Sequence, residues 1–433
     1  MIRADLVVLD AAQLVTLRGP APRRRDDLRD LSLIEGGCLA ASDGRVVFVG
    51  TRERFEAEVD VDDGAEMIDA TDRLVMPGFV DAHTHLPFAG SREVEFARRL
   101  AGASYEEIAA AGGGILSTVR ATRAANDEEL LDTILLRMDR MLLEGVTTCE
   151  AKSGYGLCVE HELRQLRLLR EAERQHPMDI VRTFLGAHAI PEEYRNDREG
   201  YIRLVIESMI PAVAAQGLAQ YCDVFCEQGV FSVEESRAIL TAGRAAGLKP
   251  RLHADQLSAC GGAELAAELE ASSADHLECA GDEALQRMAA AGTAAVLLPG
   301  ATLCLMLDRW APARRIIEAG VPPVVATDLN PGTCNSESMG LMIALACLKM
   351  GLAPEEAVAA VTVNAAVTIG RDDRIGTLEA GKEADLIVLD VPNYNHLPYR
   401  PGVNLIETVV KDGKVVVRDR RLSYQEPSPG DSA

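Results

Sequence analysis

The middle of the chain alternates between two patterns of apolar and polar residues. Short apolar runs, typical of buried strands, are separated by longer stretches in which apolar residues recur at helical spacing. This alternation predicts an α/β fold, a (β/α)8 TIM-like barrel. The predicted strands are a first run that leads through Phe79 and Val80 into His83 and His85, and then residues 145–151, 180–187, 222–225, 250–254, 273–277, 295–298 and 323–327.

The two chain ends resemble each other. Residues 4–10 read Ala-Asp-Leu-Val-Val-Leu-Asp and residues 384–390 read Ala-Asp-Leu-Ile-Val-Leu-Asp, and Asp-Gly turns at 43–44 and 412–413 join further β-rich runs. We therefore expect a small β-sandwich domain built from residues 1–70 and 386–433, with the barrel over residues 71–385. The charged run 23–27, Arg-Arg-Arg-Asp-Asp, is interpreted as a solvated loop.

Composition narrows the possible partners. The 433 residues include 44 Lys and Arg against 67 Asp and Glu, a net charge of −23, which argues against nucleic-acid binding. A small anionic substrate is compatible with this charge, because charges more than about 8 Å away are largely screened. Ten cysteines without a C-x-x-C pair indicate reduced thiols and a cytoplasmic enzyme. The N-terminal apolar run is too short for a signal peptide, and we expect no membrane segment.

Candidate chemistry lies at the predicted strand ends, where barrel enzymes place their catalytic groups. His83 and His85 share one face of a strand because side chains alternate with period two. The other polar residues at strand ends are His188, His253, His276 and Asp328. The three remaining histidines, His161, His176 and His396, are interpreted as structural.

Four of these side chains form a plausible ligand set for a metal: His83, His85, His253 and Asp328. Three nitrogens and one carboxylate suit zinc or iron, and ligand type alone does not choose between them. A pair of metals bridged by a carboxylated lysine is disfavoured, because strand four ends Cys-Glu-Gln-Gly at 226–229. Lys152, after strand two, is interpreted as a loop or substrate-site residue. The prediction is therefore a single transition metal.

We expect the metal to lower the pKa of a water molecule from about 15.7 to near 7. Asp328 is then the natural proton acceptor and the later donor to a leaving nitrogen. His276, surplus to the ligand set, would polarise a carbonyl or steady the attacking water.

Several motifs resemble the amidohydrolase superfamily and, within it, the imidazolonepropionase family. They are PGFVDAHTHLPFAGSR at 77–92, the stretch from 102 to 115, KSGYGL at 152–157, FLGAH at 184–188, LHADQL at 252–257 and TDLNPGT at 327–333. The resemblance implies hydrolysis of the lactam of 4-imidazolone-5-propanoate to N-formimidoyl-L-glutamate, in histidine degradation, by a homodimer. It places metal ligation on the same four residues. It implies substrate contacts at Arg92, Tyr155, His188, Gln256, Asn330, Gly332 and Thr333.

Two positions depart from the patterns of related enzymes. Gln256 stands where related deaminases have a glutamate that acts as general acid and base, and Ser91 stands where an aspartate is expected beside Arg92. The alternative function is a metal-dependent deaminase of a heterocyclic amine, and Gln256 argues against it because an amide cannot shuttle protons. A non-catalytic barrel is a further alternative, but such proteins typically lose metal ligands, and here all four are present.

Overall fold

The computed structural model describes residues 1–103, 107 and 113–424, so the middle of the 102–115 motif lies outside the described residues. The strands are β1 Ile2–Val15, β2 Leu33–Ser42, β3 Arg45–Thr51, β4 Val59–Asp69, β5 Leu74–Pro77, β6 Phe79–Thr84, β7 Val146–Lys152, β8 Asp179–Ala187, β9 Tyr221–Cys226, β10 Lys249–Ala254, β11 Ser273–His276, β12 Ala294–Leu297, β13 Pro323–Val325, β14 Leu386–Leu389, β15 Ile406–Lys411, β16 Lys414–Arg418 and β17 Arg421–Leu422.

Helices follow most of the barrel strands, and two others lie between strands of the second sheet. They are Arg52–Glu58, Glu93–Leu100, Ile115–Ala124, Asp127–Leu143, Val159–Gln175, Arg198–Leu204, Ile210–Ala215, Val233–Ala245, Gly262–Glu268, Asp282–Ala291, Pro299–Cys304, Ala313–Ala319, Met339–Met350, Pro354–Ala360, Val363–Thr368 and His396–Tyr399, with short 3-10 turns at Arg25–Arg29 and Glu192–Tyr194 and a π turn at Val205–Met209. Across the described part of the chain, every helix is too short or too polar to cross a bilayer.

Strands β6 to β13 form the predicted barrel. They are hydrogen-bonded in sequence order and neighbouring strands are parallel. The barrel closes where the Asp328 N–H donates to the His83 carbonyl at 3.0 Å and the His85 N–H donates to the Leu329 carbonyl at 2.9 Å. Each of the eight strands expected from the sequence is present, and the closure itself brings the first and last strand ends together.

The helix Asp127–Leu143 shows why the connecting segments are helical. Asn126 and Glu129 form a capping box, in which each side chain accepts a hydrogen bond from the other residue's backbone N–H. Leu130, Ile134 and Met138 then recur at a spacing of four and are buried against the barrel core. An amphipathic helix of this kind covers the outside of the strands and leaves their carboxyl ends free for chemistry.

A second, mixed sheet is built from both chain ends, as expected. Its order is β17-β16-β15-β14-β5-β1-β2-β3, with β4 also pairing with β1. The strand β5 belongs to this sheet, where it lies antiparallel to β14 and parallel to β1. Gly78 separates β5 from β6, and a Cβ there would lie 2.3 Å from Thr147 Oγ1. The apolar residues before the two histidines therefore contribute to two sheets: β5 belongs to the mixed sheet and β6 to the barrel.

The charged run 23–27 is only partly solvated, so the expectation of a wholly solvated loop was wrong at Arg23. This side chain is 3% exposed, and its Nη2 donates to the carbonyls of Leu17 and Arg18 at 3.0 and 2.9 Å. Its backbone N–H donates to Asn364 Oδ1 at 2.7 Å. The buried guanidinium thus finds hydrogen-bond acceptors in backbone carbonyl groups, as a buried polar group requires.

Candidate metal centre

The four side chains predicted to hold a metal lie together at the carboxyl ends of the barrel strands. One ring nitrogen from each of His83, His85 and His253 lies within 4.8 Å of the others. Asp328 Oδ1 lies 3.5 Å from His83 Nε2 and 3.5 Å from His85 Nε2. All four residues are at most 3% exposed, so the arrangement is a buried cluster of nitrogen and oxygen donors.

The hydrogen bonds of the histidines decide which nitrogen faces the cluster. His83 Nδ1 lies 2.6 Å from Asp275 Oδ2, and His253 Nδ1 lies 3.1 Å from Asp223 Oδ1. A carboxylate accepts hydrogen bonds, so each Nδ1 carries the proton and each Nε2 keeps its lone pair. Burial lowers the pKa of His83 well below its ordinary range and also lowers the pKa of His85, which favours neutral imidazoles.

This donor set fits a transition metal. His83 Nε2 is buried without a hydrogen-bond partner. His253 Nε2 lies 3.4 Å from His85 Nε2. Lone pairs that converge from neutral imidazoles and a carboxylate repel one another unless a cation lies among them. Zinc and iron both bind nitrogen and oxygen donors of this kind.

Asp328 is held in a special backbone conformation. Its φ is 54°, in the left-handed region, and its carbonyl accepts a hydrogen bond from Asn330 Nδ2 at 2.7 Å. Thr333 Oγ1 donates to Asp328 Oδ2 at 3.2 Å, which leaves Oδ1 facing the histidines. Burial alone would raise the pKa of Asp328, but the contacts with His85 and His276 hold it below its usual range, so the group is a carboxylate.

His276 lies beside the ligand cluster. Its ring centroid is 5.4 Å from that of His253 and 5.8 Å from that of His83. Its φ is 79°, and its Nδ1 lies 3.9 Å from Glu278 Oε1. Burial acts to lower the pKa of His276, but Glu278 and Asp328 outweigh that effect and raise it. The position suits a group that contacts a reacting carbonyl beside the metal.

Two of the expected substrate contacts, Tyr155 and His188, lie next to His85, and the His188 ring stacks on the His85 ring. The rings of His85 and His188 are 5.2 Å apart at 23°, and Tyr155 lies 5.2 Å from His188. His188 Nδ1 pairs with the Gly154 carbonyl at 3.0 Å, so its Nε2 remains for another partner. Both side chains are buried and adjoin the candidate ligands.

Arg92 and Gly332 are in direct contact. A Cβ on Gly332 would lie 2.1 Å from Arg92 Nη1, so only glycine leaves room for the guanidinium. Arg92 Nε donates to Glu95 Oε2 at 2.9 Å, and Ser91 donates to Glu93. Glu95 therefore holds the guanidinium that an aspartate at position 91 was expected to orient.

The other expected substrate residues differ in how far they are already engaged. Asn330 Oδ1 accepts from the N–H groups of Gly332 and Thr333 at 2.8 Å each, and its Nδ2 also donates to Thr333 Oγ1 at 2.7 Å. The Asn330 amide is thus used within its own loop. Gln256 is 7% exposed, and the backbone after it is fixed because Leu257 N–H donates to Glu227 Oε2 at 2.8 Å.

Sequence reasoning missed a group of charged residues inside the barrel strands, which we call the buried charge cluster: Glu150, Lys152, Asp223, Arg251 and Asp275. Lys152 is the last residue of β7, so the expectation of a loop was wrong. Its Nζ lies 2.8 Å from Glu150 Oε1 and 2.9 Å from Asp223 Oδ2. A charged residue within an otherwise apolar strand is the signal that could have identified these positions.

Comparisons with known proteins identify the family of this chain. The model of the Amidohydrolase family matches residues 74–416. An imidazolonepropionase from Symbiobacterium thermophilum is 51% identical over 96% of this chain and 98% of its own, and one from Geobacillus kaustophilus is 51% identical over 96% and 99%. An adenosine deaminase from Xanthomonas campestris with bound zinc has a TM-score of 0.75 at 19% identity, over 98% of this chain and 95% of its own, a likeness of fold alone. The chain therefore belongs to the amidohydrolase family, in the branch formed by the curated imidazolonepropionases.

Proposed function

We propose that this protein hydrolyses the cyclic amide of 4-imidazolone-5-propanoate to N-formimidoyl-L-glutamate, a step in histidine degradation. The observation that carries the proposal is the buried cluster of His83, His85, His253 and Asp328, with His188 stacked on His85 and Arg92 against Gly332 in the loop after Asp328. Relatives at about 50% identity over nearly the whole chain bear the name imidazolonepropionase. We expect a homodimer located in the cytoplasm, which light scattering and cell fractionation can test.

We further propose that His83, His85, His253 and Asp328 hold one transition metal, zinc or iron. A metal bound there supplies Lewis-acid chemistry and lowers the pKa of a water molecule toward 7. Asp328 is the base of the reaction, because its low pKa makes it a carboxylate at neutral pH. Its carboxylate accepts the proton of the attacking water and returns that proton to the ring nitrogen as the amide bond breaks.

His276 and His188 contact the substrate from two sides. His276, next to His83 and His253, donates a hydrogen bond to the amide oxygen as negative charge develops there. His188 uses Nδ1 for Gly154 and offers Nε2 to the ring. Both residues are at most 6% exposed, so these interactions act in a medium of low dielectric constant and are stronger than in water.

Arg92 binds the propanoate group. A hydrogen bond from a charged donor to a carboxylate contributes about 1.5–3 kcal/mol. Glu95 fixes the guanidinium through Nε, which leaves its other nitrogens for the substrate. Tyr155, Gln256, Gly332 and the hydroxyl or backbone of Thr333 complete the pocket that we propose for the ring and tail.

Gln256 favours ring opening over the alternative deamination of a heterocyclic amine. A deaminase of this fold needs an acid and base at that position, and the Gln256 amide neither accepts nor releases a proton at neutral pH. Gln256 can donate a hydrogen bond to the imidazolone ring and accept one from it. We therefore assign it to substrate binding.

The test follows the ultraviolet absorbance of freshly prepared 4-imidazolone-5-propanoate with the purified protein. We expect the absorbance to fall, N-formimidoyl-L-glutamate to form, and chelation to stop the reaction until Zn²⁺ or Fe²⁺ is returned. Release of ammonia without ring opening would instead identify a deaminase. Decay at the spontaneous rate with metal-loaded protein would refute the proposed activity.

A further inference from the structure

Two chains of side chains run from the barrel interior to the candidate metal ligands. In one, Lys152 Nζ lies 2.9 Å from Asp223 Oδ2, and Asp223 Oδ1 lies 3.1 Å from His253 Nδ1. In the other, Arg251 Nη2 lies 3.4 Å from Asp275 Oδ2, which lies 2.6 Å from His83 Nδ1. Each chain has the order cation, carboxylate, histidine.

The cation of the first chain has little freedom to move. Lys152 has no exposed surface, and a second carboxylate, Glu150, lies 2.8 Å from its Nζ. Asp275 Oδ2 lies 3.8 Å away, so the ammonium also approaches the second chain. Burial acts to lower the pKa of Lys152, but Glu150 and Asp223 outweigh it and raise the pKa, so the group is a cation.

Asp223 depends on this cation for its orientation. The carboxylate is fully buried in strand β9; both of its oxygens lie 3.1 Å from His253 Nδ1, and Oδ2 also lies 2.9 Å from Lys152 Nζ. Without the ammonium, Oδ2 would lose its nearest partner in a low-dielectric interior. The carboxylate would then be free to rotate, and rotation weakens its hold on the His253 ring.

We propose that Lys152 is a positioning residue for the metal centre: it fixes Asp223, which in turn aims His253 Nε2 at the metal. The inference rests on the metal site of the proposed function and goes beyond it, because Lys152 is fully buried and its ammonium lies against carboxylates, not against one of the four candidate ligands. Partners that orient metal-binding histidines typically contribute a factor of about 10–100 in metal affinity. We expect an effect of this size from Lys152, transmitted through one carboxylate.

The experiment measures Zn²⁺ affinity and the visible spectrum of the Co²⁺ form, neither of which requires activity. The Lys152→Met variant keeps a similar length and removes the charge. We expect its Zn²⁺ dissociation constant, from competition with a chromophoric chelator, to rise about 10- to 100-fold, with an altered Co²⁺ spectrum. Lys152→Arg retains the charge and should recover part of the affinity.

The chain offers a matched control in Lys411. This lysine is 2% exposed in β15, and its Nζ lies 2.9 Å from Asp412, 3.1 Å from Asp179 and 3.2 Å from Asp385. Lys411→Met therefore also removes a buried cation from among carboxylates, between the sheet built from the chain ends and Asp179 at the start of β8. It should lower stability while leaving the Zn²⁺ affinity and the Co²⁺ spectrum unchanged.

A charge-matched variant separates positioning from folding. Lys152→Met leaves Glu150 without its partner, so Glu150→Gln combined with Lys152→Met restores the local balance and should fold better. Weak Zn²⁺ binding in the folded double variant supports the proposal, whereas wild-type affinity in either Lys152→Met form overturns it. If the wild-type protein itself binds neither Zn²⁺ nor Fe²⁺, the proposed function fails instead, which distinguishes the two outcomes.

Discussion

Replacing Gly332 with alanine tests whether Arg92 must lie where the structure places it. The new Cβ would lie 2.1 Å from Arg92 Nη1 and 2.7 Å from Cζ. Ordinary contacts begin near 3.4 Å, so the guanidinium must retreat by roughly 1.3 Å. Gly332 itself does not use the left-handed backbone region, so alanine fits the local chain and the strain falls on the arginine.

The expected effect is on substrate binding more than on stability. The displaced atoms are the end of a flexible side chain, so we expect the free energy of unfolding to fall by less than about 1 kcal/mol. If Arg92 binds the propanoate, losing that hydrogen bond costs about 1.5–3 kcal/mol, which corresponds to a rise in KM of about 12- to 140-fold. The value of kcat should change less, because the tail lies away from the bond that breaks.

Steady-state kinetics on Gly332→Ala, Arg92→Met and the double variant provide the assay. The double variant should be no worse than Arg92→Met alone, because both changes remove the same contact. Gly340→Ala is the matched control, since the nearest atom to its new Cβ lies 3.9 Å away and KM should stay at the wild-type value. A wild-type KM for Gly332→Ala, or additive effects in the double variant, would refute the assignment of Arg92.

Three further predictions address the metal ligands, the pocket and pH. Asp275→Asn removes the carboxylate that orients His83 Nδ1, so Zn²⁺ affinity from chelator competition should fall about 10- to 100-fold, and an unchanged affinity would contradict its role. Gln256→Leu should raise KM about 2- to 12-fold by loss of a neutral hydrogen bond, and a collapse of kcat at unchanged KM would count against a binding role. Burial lowers the pKa of His176 from 6.5 to about 4 despite Asp139, so stability is complete above about pH 6.5 and declines as the pH falls toward 4. The free energy of unfolding, measured with urea, should fall between about pH 7.5 and pH 5 by about 2 kcal/mol more in the wild-type protein than in His176→Gln. Equal falls in the two proteins would contradict this.

The barrel and the convergence of the four candidate ligands could be predicted because both depend on local signals. Eight apolar runs mark the strands, and a strand's carboxyl end is where a polar residue follows the run, as at His253 and Asp328. The closing hydrogen bonds from Asp328 to His83 and from His85 to Leu329 were implicit in the fold class, since a barrel places its first strand beside its last. The convergence of four distant residues follows from topology, and no long-range contact had to be guessed.

Other features depend on contacts that no local pattern encodes. The residues before the two histidines are mostly apolar on both sides of position 78, but Gly78 separates β5 from β6. There is no room for a side chain at position 78 because Thr147 lies against it. Arg23 lies in a charged run typical of solvent, yet its partners are carbonyls on Leu17 and Arg18 and the side chain of Asn364. Whether such a charged side chain is buried depends on the hydrogen-bond acceptors around it, and these are known only once the fold is formed.

The buried charge cluster argues for a role that apolar packing cannot fill. Glu150 and Lys152 are two residues apart on one face of β7, and Asp223 and Arg251 are register partners on β9 and β10. Burying ions costs more than burying apolar side chains of similar size, so a barrel that needed only stability would favour valine and leucine here. The cluster holds three carboxylates and two cations, and Asp328 adds a further carboxylate above it. This group of six side chains is therefore net negative, which favours a cation at the four candidate ligands above it.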